Sequence, residues 1–299
     1  MSQVTFILEG ENKTGKTTLA TLLRDRYGFK VVKCSQPRGD AYKEYAEKLN
    51  AASGRTVFDR MYLGELVYGK LYRGGSQLDE VKCRNLDLLA MSKNTIVIHC
   101  VDDAEKIIRR FKSEHEEFAD ERLVHKTLKL YDEAMGQTSL CVTKHQMRTK
   151  DDLTTHKHDL ERLIDIEQRQ QVNYKDIIGN LKNPTMLLVG ETRNKNNNKY
   201  NDIGQPFDFG VSSKFLFDAI KRAQIPLNHL AIANSDSKSL SRFISDNPTM
   251  MVVALGKIAH EKITKLGVRC YKLNHPNYEN RFHRHDSDFH MRLKKIYLS

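Results

Sequence analysis

The chain of 299 residues carries 49 Lys plus Arg against 38 Asp plus Glu, a formal net charge of +11, with 39% hydrophobic and 29% charged residues. That length suits two domains of roughly 100–200 residues each, and the composition excludes a wholly disordered chain. No apolar run approaches the roughly 18 residues of a membrane span, and the opening segment lacks the basic end and cleavage site of a secretion signal. The expectation is an intracellular protein, not secreted and with no membrane partner.

In chain order, strands are expected at 4–8, 29–33, 55–58, 95–100 and 139–143, and helices at 16–27, 40–51, 78–92, 103–118 and 122–134. Val- and Ile-rich strands separated by helical stretches imply crossover connections and a parallel sheet covered on both faces. Residues 151–181 read as a last helix and a connector ending at Asn183-Pro184. A second cycle follows, with strands at 185–189, 229–233, 249–255 and 269–273. Its helices fall at 213–223, 237–245 and 257–266, before a basic tail. The fold class is α/β: a first domain over 1–183 with its helical connector, and a second, smaller α/β domain over 184–299. Cys34, Cys83, Cys100, Cys141 and Cys270 are odd in number and widely spaced, which points to reduced thiols rather than a disulfide framework or a cysteine zinc site. Residues 184–299 hold 18 Lys plus Arg and 10 Asp plus Glu. Such a surplus suits a polyanion partner, and solubility alone would also explain it.

The strongest motif is Gly10-Glu11-Asn12-Lys13-Thr14-Gly15-Lys16-Thr17, followed by Thr18, which fits Gly-x4-Gly-Lys-Thr between a strand and a helix. Glycines let backbone N–H groups turn inward around phosphate oxygens, and the following helix presents its positive end to the same anion. Lys16 is placed for the β- and γ-phosphates of a nucleoside triphosphate such as ATP, and the Thr17 hydroxyl for Mg²⁺. Asp59-Arg60 ends the third strand, where a parallel sheet aims side chains into the phosphate crevice. Asp59 could hold a magnesium-bound water or take a proton from an attacking hydroxyl, and Arg60 could clamp a phosphate. A surface Asp-Arg pair is the plainer alternative. Arg109 and Arg110 could stabilise charge on a transferred phosphoryl group, or could lie on a solvated helix face.

The run Phe6–Leu19 with Glu9 ahead of the loop, the turn Ser35-Gln36-Pro37-Arg38-Gly39 and the segment Asp59-Arg60-Met61-Tyr62 together resemble the thymidylate kinase family over roughly residues 1–165. The resemblance implies a P-loop kinase using ATP and Mg²⁺. It also implies a nucleotide acceptor near Gln36, Pro37, Asp59 and Arg60, and an arginine-bearing lid near Arg109 and Arg110. The turn carries Gln36-Pro37-Arg38 where that family usually has Glu-Pro-Gly.

Beyond Pro184, Val189-Gly190-Glu191, Gly204-Gln205-Pro206-Phe207, Ala233-Asn234 and Asn274-His275-Pro276-Asn277 occur in an order that resembles the uracil-DNA glycosylase superfamily. That resemblance implies a glycosylase-like base pocket. Glu191 would lie in its first loop, Phe207 would stack on a flipped base, Asn234 would read the base edge and His275 would come from a late loop. The tail from Arg281 to His290 is dense in His and Asp without metal-ligand spacing, and reads as a basic, aromatic-interleaved DNA-contact strip. The two halves together resemble phage DNA kinases that phosphorylate the hydroxymethyl group of 5-hydroxymethyl-deoxyuridine in DNA, a step in thymidine hypermodification. The resemblance implies DNA, through a flipped modified base, as partner. The alternatives are a free deoxynucleoside monophosphate kinase, and a DNA glycosylase or base-reading DNA-binding protein.

Overall fold

The computed structural model describes residues 4–113, 120–146, 161, 174, 176–191, 211–283 and 287–299. Contacts divide the chain into two units. One comprises residues 1–79 and 93–171, the other residues 80–92 and 172–299.

In the first unit, strands β1 (Val4–Glu9), β2 (Lys30–Lys33), β3 (Arg55–Asp59), β4 (Thr95–Val101) and β5 (Cys141–Gln146) form a sheet in the order β2-β3-β1-β4-β5. Every pairing is parallel. Helices α1 (Lys16–Tyr27), α2 (Ala41–Ala51), α3 (Tyr62–Tyr72), α5 (Ala104–Ser113) and α6 (Glu121–Gln137) belong to this unit, whereas α4 (Glu80–Ser92) belongs to the other. Alternation along β1 divides its side chains between two layers. Val4, Phe6 and Leu8 pack with Leu19 and Leu23 of α1, and with Val57, Ile96 and Ile98. Glu9 points to the other layer, beside Gly64 of α3. Parallel register brings Leu8 beside Asp59 and Glu9 beside His99, so the carboxyl ends of the three central strands share one edge.

The second unit holds β6 (Ile177–Gly179), β7 (Met186–Gly190), β8 (Leu230–Asn234), β9 (Met251–Leu255) and β10 (Tyr271–Leu273), in the order β10-β9-β7-β8-β6. The β7, β8, β9 and β10 pairings are parallel, and β6 adds an antiparallel edge to β8. Its helices are α4, α7 (Val211–Arg222), α8 (Leu240–Asp246), α9 (Lys257–Lys265), α10 (Pro276–Phe282) and α11 (Phe289–Tyr297). Leu187, Val189, Ala231, Ala233, Phe243 and Ile263 lie together in its core.

Five features differ from the sequence expectation. The division falls at 171/172 rather than 183/184, because Ile177–Gly179, expected in a connector, pairs with β8 as a strand. The helix expected at 78–92 forms at 80–92 but joins the second unit: Arg84 donates to the carbonyl of Phe217 at 2.9 Å, and Lys221 pairs with Glu80 at 2.7 Å. Helix α3 carries Gly64 and Gly69 and is apolar on most of its circumference, so it lacks the periodic signal that marks a surface helix. The fifth strand lies at 141–146, two to three residues later than expected. Helix α11 begins at Phe289 within the basic tail, and Phe289 is fully buried against Phe215, with ring centroids 5.5 Å apart, so that residue belongs to the core and not to a DNA-contact strip. Arg284, His285 and Asp286 lie outside the described residues, as do Leu160, Leu163 and Ile164. All five cysteines are free thiols. No helix among the described residues is long and apolar enough to cross a membrane.

Candidate functional site

The loop between β1 and α1 owes its path to Gly10 and Gly15. Gly10 has φ +139°, and a Cβ there would lie 2.2 Å from the carbonyl oxygen of Cys100 on β4. Gly15, at φ 87°, is the left-handed N-cap of α1. No side chain caps that helix and its first turn holds no acidic residue. Its amides therefore face the loop without an internal acceptor, the arrangement that receives an anion. Lys13, with φ 64°, is strained within the same loop.

Lys16 is buried and donates to the carbonyl of Glu11 at 2.5 Å; the Thr14 hydroxyl donates to the same oxygen at 2.7 Å. Burial, and then the nearby Arg60 cation, lower the Lys16 ammonium to about 8. Thr17 and Thr18 are exposed at the start of α1. Asn12 donates its amide to the Glu11 carboxylate at 2.5 Å, and its side-chain oxygen accepts from Arg60.

Asp59 closes β3 half-buried, within electrostatic reach of Lys16. Arg60 follows at φ 66°, a conformation costly for a residue with a Cβ. Its amide donates to the carbonyl of Leu8 at 2.9 Å and its guanidinium lies 4.7 Å from the centroid of the Tyr68 ring. The strained residue thus ties β3 to the phosphate loop and to α3. Thr17 and Asp59 supply a hydroxyl and a carboxylate, the hard oxygen donors that suit Mg²⁺.

The two candidate lid arginines separate. Arg110 donates to the carbonyl of Lys13 at 2.6 Å and pairs with the buried Asp102 at 2.7 Å. Arg109 is exposed and donates, at 3.4 Å, to the carbonyl of Glu105 on its own helix. Successive helical residues point about 100° apart, so only one of the pair can face the loop.

Sequence reasoning assigned no structural role to three supports of the site. Glu9 is fully buried, and one carboxylate oxygen accepts from the amides of Met61 at 2.8 Å and Gly64 at 3.1 Å, at the N-terminus of α3. Burial outweighs those bonds and pushes its carboxyl up to about 7. Glu44 accepts from the amides of Arg38 at 2.9 Å and Gly39 at 2.7 Å, and so shapes the Gln36-Pro37 turn. Third, a cavity of 590 Å³ opens beside Arg60, with Gln36, Tyr45, Tyr68 and Tyr72 in its wall. Gln36 is exposed and Pro37 buried. The recurrence of Tyr68 and Tyr72 one helical turn apart hints at this wall in the sequence. Spacing alone does not identify a cavity.

In the second unit, Glu191 follows β7, Asn234 ends β8 and His275 follows β10, so parallel pairing sets all three at one sheet edge. Glu191 accepts from the amide of Ile258 at 3.4 Å, and a Cβ at Gly256 (φ +105°) would come 2.4 Å from its carboxylate. Asn234 is buried, and its carbonyl accepts from Ser237 at 3.0 Å. His275 caps α10 by accepting from the amide of Asn277 at 3.2 Å; burial lowers its imidazole, partly offset by Glu191. Phe207, with Gly204-Gln205-Pro206, lies outside the described residues.

No family model and no curated protein matches the sequence. Among solved structures the chain is similar to the YorR protein of Bacillus subtilis in complex with phosphorylated GDP, at 22% identity, with 56% of this chain and 100% of that chain covered and a TM-score of 0.50. The first unit has the P-loop kinase fold. Similarity to the deoxyadenosine kinase of M. mycoides with dCMP and dCDP bound is 16% identity over 55% of this chain and all of that one, TM-score 0.37. Thymidylate kinase from Candida albicans aligns at 16% identity, 56% and 94% coverage and TM-score 0.36. In this kinase-fold unit, residues Gly10 to Thr18, with Asp59, Arg60 and Arg110, gather at the carboxyl edge of the sheet.

Proposed function

We propose that the chain is an ATP-dependent phosphotransferase whose acceptor is the hydroxymethyl group of 5-hydroxymethyl-deoxyuridine in DNA. The observation that carries the phosphotransfer reading is the glycine-shaped loop at an uncapped helix start, with Lys16 and Arg110 both bonded to its carbonyls.

In this reading the amides of residues 10–15 and the start of α1 hold the phosphates of ATP. Lys16 and Arg110 exchange loop carbonyls for phosphoryl oxygens and neutralise the charge that builds on them. Thr17 and Asp59 would hold Mg²⁺, which would supply positive charge to offset that of the phosphates. Asp59 alternatively takes the acceptor proton. The acceptor hydroxyl oxygen forms a bond to the γ-phosphorus, the bond to the β–γ bridging oxygen breaks, the proton passes to a base and ADP leaves. Arg60, fixed between Asn12 and Tyr68, orients the acceptor beside the tyrosine-walled cavity, where the aromatic rings and the Gln36 amide suit a nucleobase.

The DNA acceptor draws support from the second unit. A buried Asn, a desolvated His and a Glu at one sheet edge suit the polar edge of another base of the same strand, and residues 184–299 carry surplus positive charge. The tyrosine-walled cavity favours a second reading, a free deoxynucleoside monophosphate kinase, because it lies wholly within the kinase-fold unit.

Incubation of duplex DNA containing 5-hydroxymethyluracil with γ-labelled ATP distinguishes them. Label in DNA that disappears with Lys16→Ala is the expected result. Label only in added free monophosphates would replace the first reading with the second. Abasic sites formed without ATP would replace both with a glycosylase.

A further inference from the structure

A second cavity, of 460 Å³, lies in the second unit, and Glu191, Asn234 and His275 are not among the residues that line it. One face of α7 forms its wall: Lys214, Asp218 and Arg222 recur at intervals of four residues, the helical repeat. Asn280 of α10 and His290 of α11 also line the cavity, together with Phe215 and Phe289, whose rings pack edge to face. Arg222 lies within electrostatic reach of His290. Among the described residues neither Lys214 nor Arg222 has an ion-pair partner. Asp218, one turn from each, pairs with neither.

The placement of Lys214 runs against local helix energetics. It stands in the first turn of α7, where the helix dipole disfavours a cation, and that turn has no acidic residue. Two cations without ion-pair partners, an amide and an imidazole around one concavity, opposed by the single carboxylate of Asp218, form an anion receptor, and Arg222 adds the forked donor geometry that matches a phosphate. Helix α10 relates this receptor to the sheet edge. His275 caps its start and Asn280 reaches the cavity five residues on, a rise of about 7.5 Å along the axis, on the scale of one nucleotide of extended backbone.

We propose that this cavity seats a backbone phosphate of the nucleic-acid strand whose base is held at the Glu191, Asn234 and His275 edge. The proposal rests on the DNA-acceptor reading given above. Lys214 and Arg222 carry the electrostatic contact, Asn280 donates a hydrogen bond, and the single carboxylate of Asp218 weakens the seat.

The test is the binding of a fluorescein-labelled single-stranded oligodeoxynucleotide to the full chain, followed by anisotropy across a salt series. The double variant Lys214→Ala/Arg222→Ala is expected to weaken binding on the order of tenfold and to reduce the slope of log affinity against log salt by about 1. Asp218→Asn, which removes the opposing charge, is expected to tighten binding, a gain that misfolding cannot produce. Deoxythymidine monophosphate, offered as competitor, is expected to leave strand binding to wild type intact at equal concentration. Unchanged affinity and slope in the double variant would overturn the phosphate seat alone. Displacement of the strand by the mononucleotide, lost in the double variant, would reassign the cavity to a free nucleotide. A wild-type chain without affinity for the strand would overturn the DNA-acceptor reading and the seat with it.

Discussion

The guanidinium of Arg110 donates to the carbonyl of Lys13 at 2.6 Å, joining α5 to the strained crest of the phosphate loop. Its charge is also shared with Asp102, which holds it in place. An arginine so positioned can stabilise charge on a transferred phosphoryl group, whereas Arg109 faces away from the loop. Arg110→Ala is therefore expected to lower kcat for phosphoryl transfer about 10²–10³-fold. Arg109→Ala is expected to leave it nearly unchanged. Steady-state assays with γ-labelled ATP and the hydroxymethyluracil-containing DNA measure both, and equal losses would contradict the assignment.

Glu9 predicts an unusual pH dependence of stability. Its carboxyl stands at about 7 in the fold against an ordinary value of 4.5. Between those limits the folded chain keeps a proton that the unfolded chain releases, so this group's stabilisation is full below pH 4.5 and is lost as pH rises through 7. The loss is roughly 3 kcal/mol at most. Glu9→Gln keeps an acceptor for the Met61 and Gly64 amides and cannot ionise. Its melting temperature is expected to converge on or exceed that of wild type above pH 7. Glu9→Ala leaves both buried amides without their carboxylate acceptor and is expected to cost about 1–3 kcal/mol at any pH. Thermal melts of the three proteins from pH 5 to 8 provide the comparison.

Lys16 links nucleotide affinity to pH in the alkaline range. Burial and Arg60 lower its ammonium to about 8, and an anionic phosphate beside it would raise that value again. Above pH 8 the free protein has lost a proton that the nucleotide complex retains, so affinity falls as pH rises and binding takes up a proton. Calorimetric titration with ATP at pH 8.5, in two buffers of different ionisation enthalpy, is expected to register proton uptake. Lys16→Ala is expected to abolish the uptake together with most of the affinity.

Gly10→Ala tests the close approach of the loop to β4. The added methyl would meet the carbonyl of Cys100 at 2.2 Å, in a backbone conformation that already disfavours a side chain. Neither a strand carbonyl nor φ +139° can relax cheaply. The expected cost is about 3 kcal/mol or more, read as a lower urea midpoint for the kinase-fold unit.

The sequence by itself determined the phosphate loop, because that motif is a local backbone conformation: glycines at two positions and a lysine one residue later specify it without distant contacts. Helix α1, matching its expected bounds at both ends, was legible for the same reason, since Gly15 and Gly28 cap it. The alternation of strands and helices likewise revealed both α/β units. Only the tertiary structure decided which of Arg109 and Arg110 reaches the loop, because a pair on one helix is split by which face packs on α6. It also assigned α4 to the second unit and turned Ile177–Gly179 into a strand, choices made by the contacts of Arg84 with Phe217 and of β6 with β8 across long stretches of chain. Glu9 and the Lys214, Arg222 and Asn280 cavity belong to the same class. Their chemistry follows from burial and from which side chains meet, and a linear sequence does not specify either until the chain has folded.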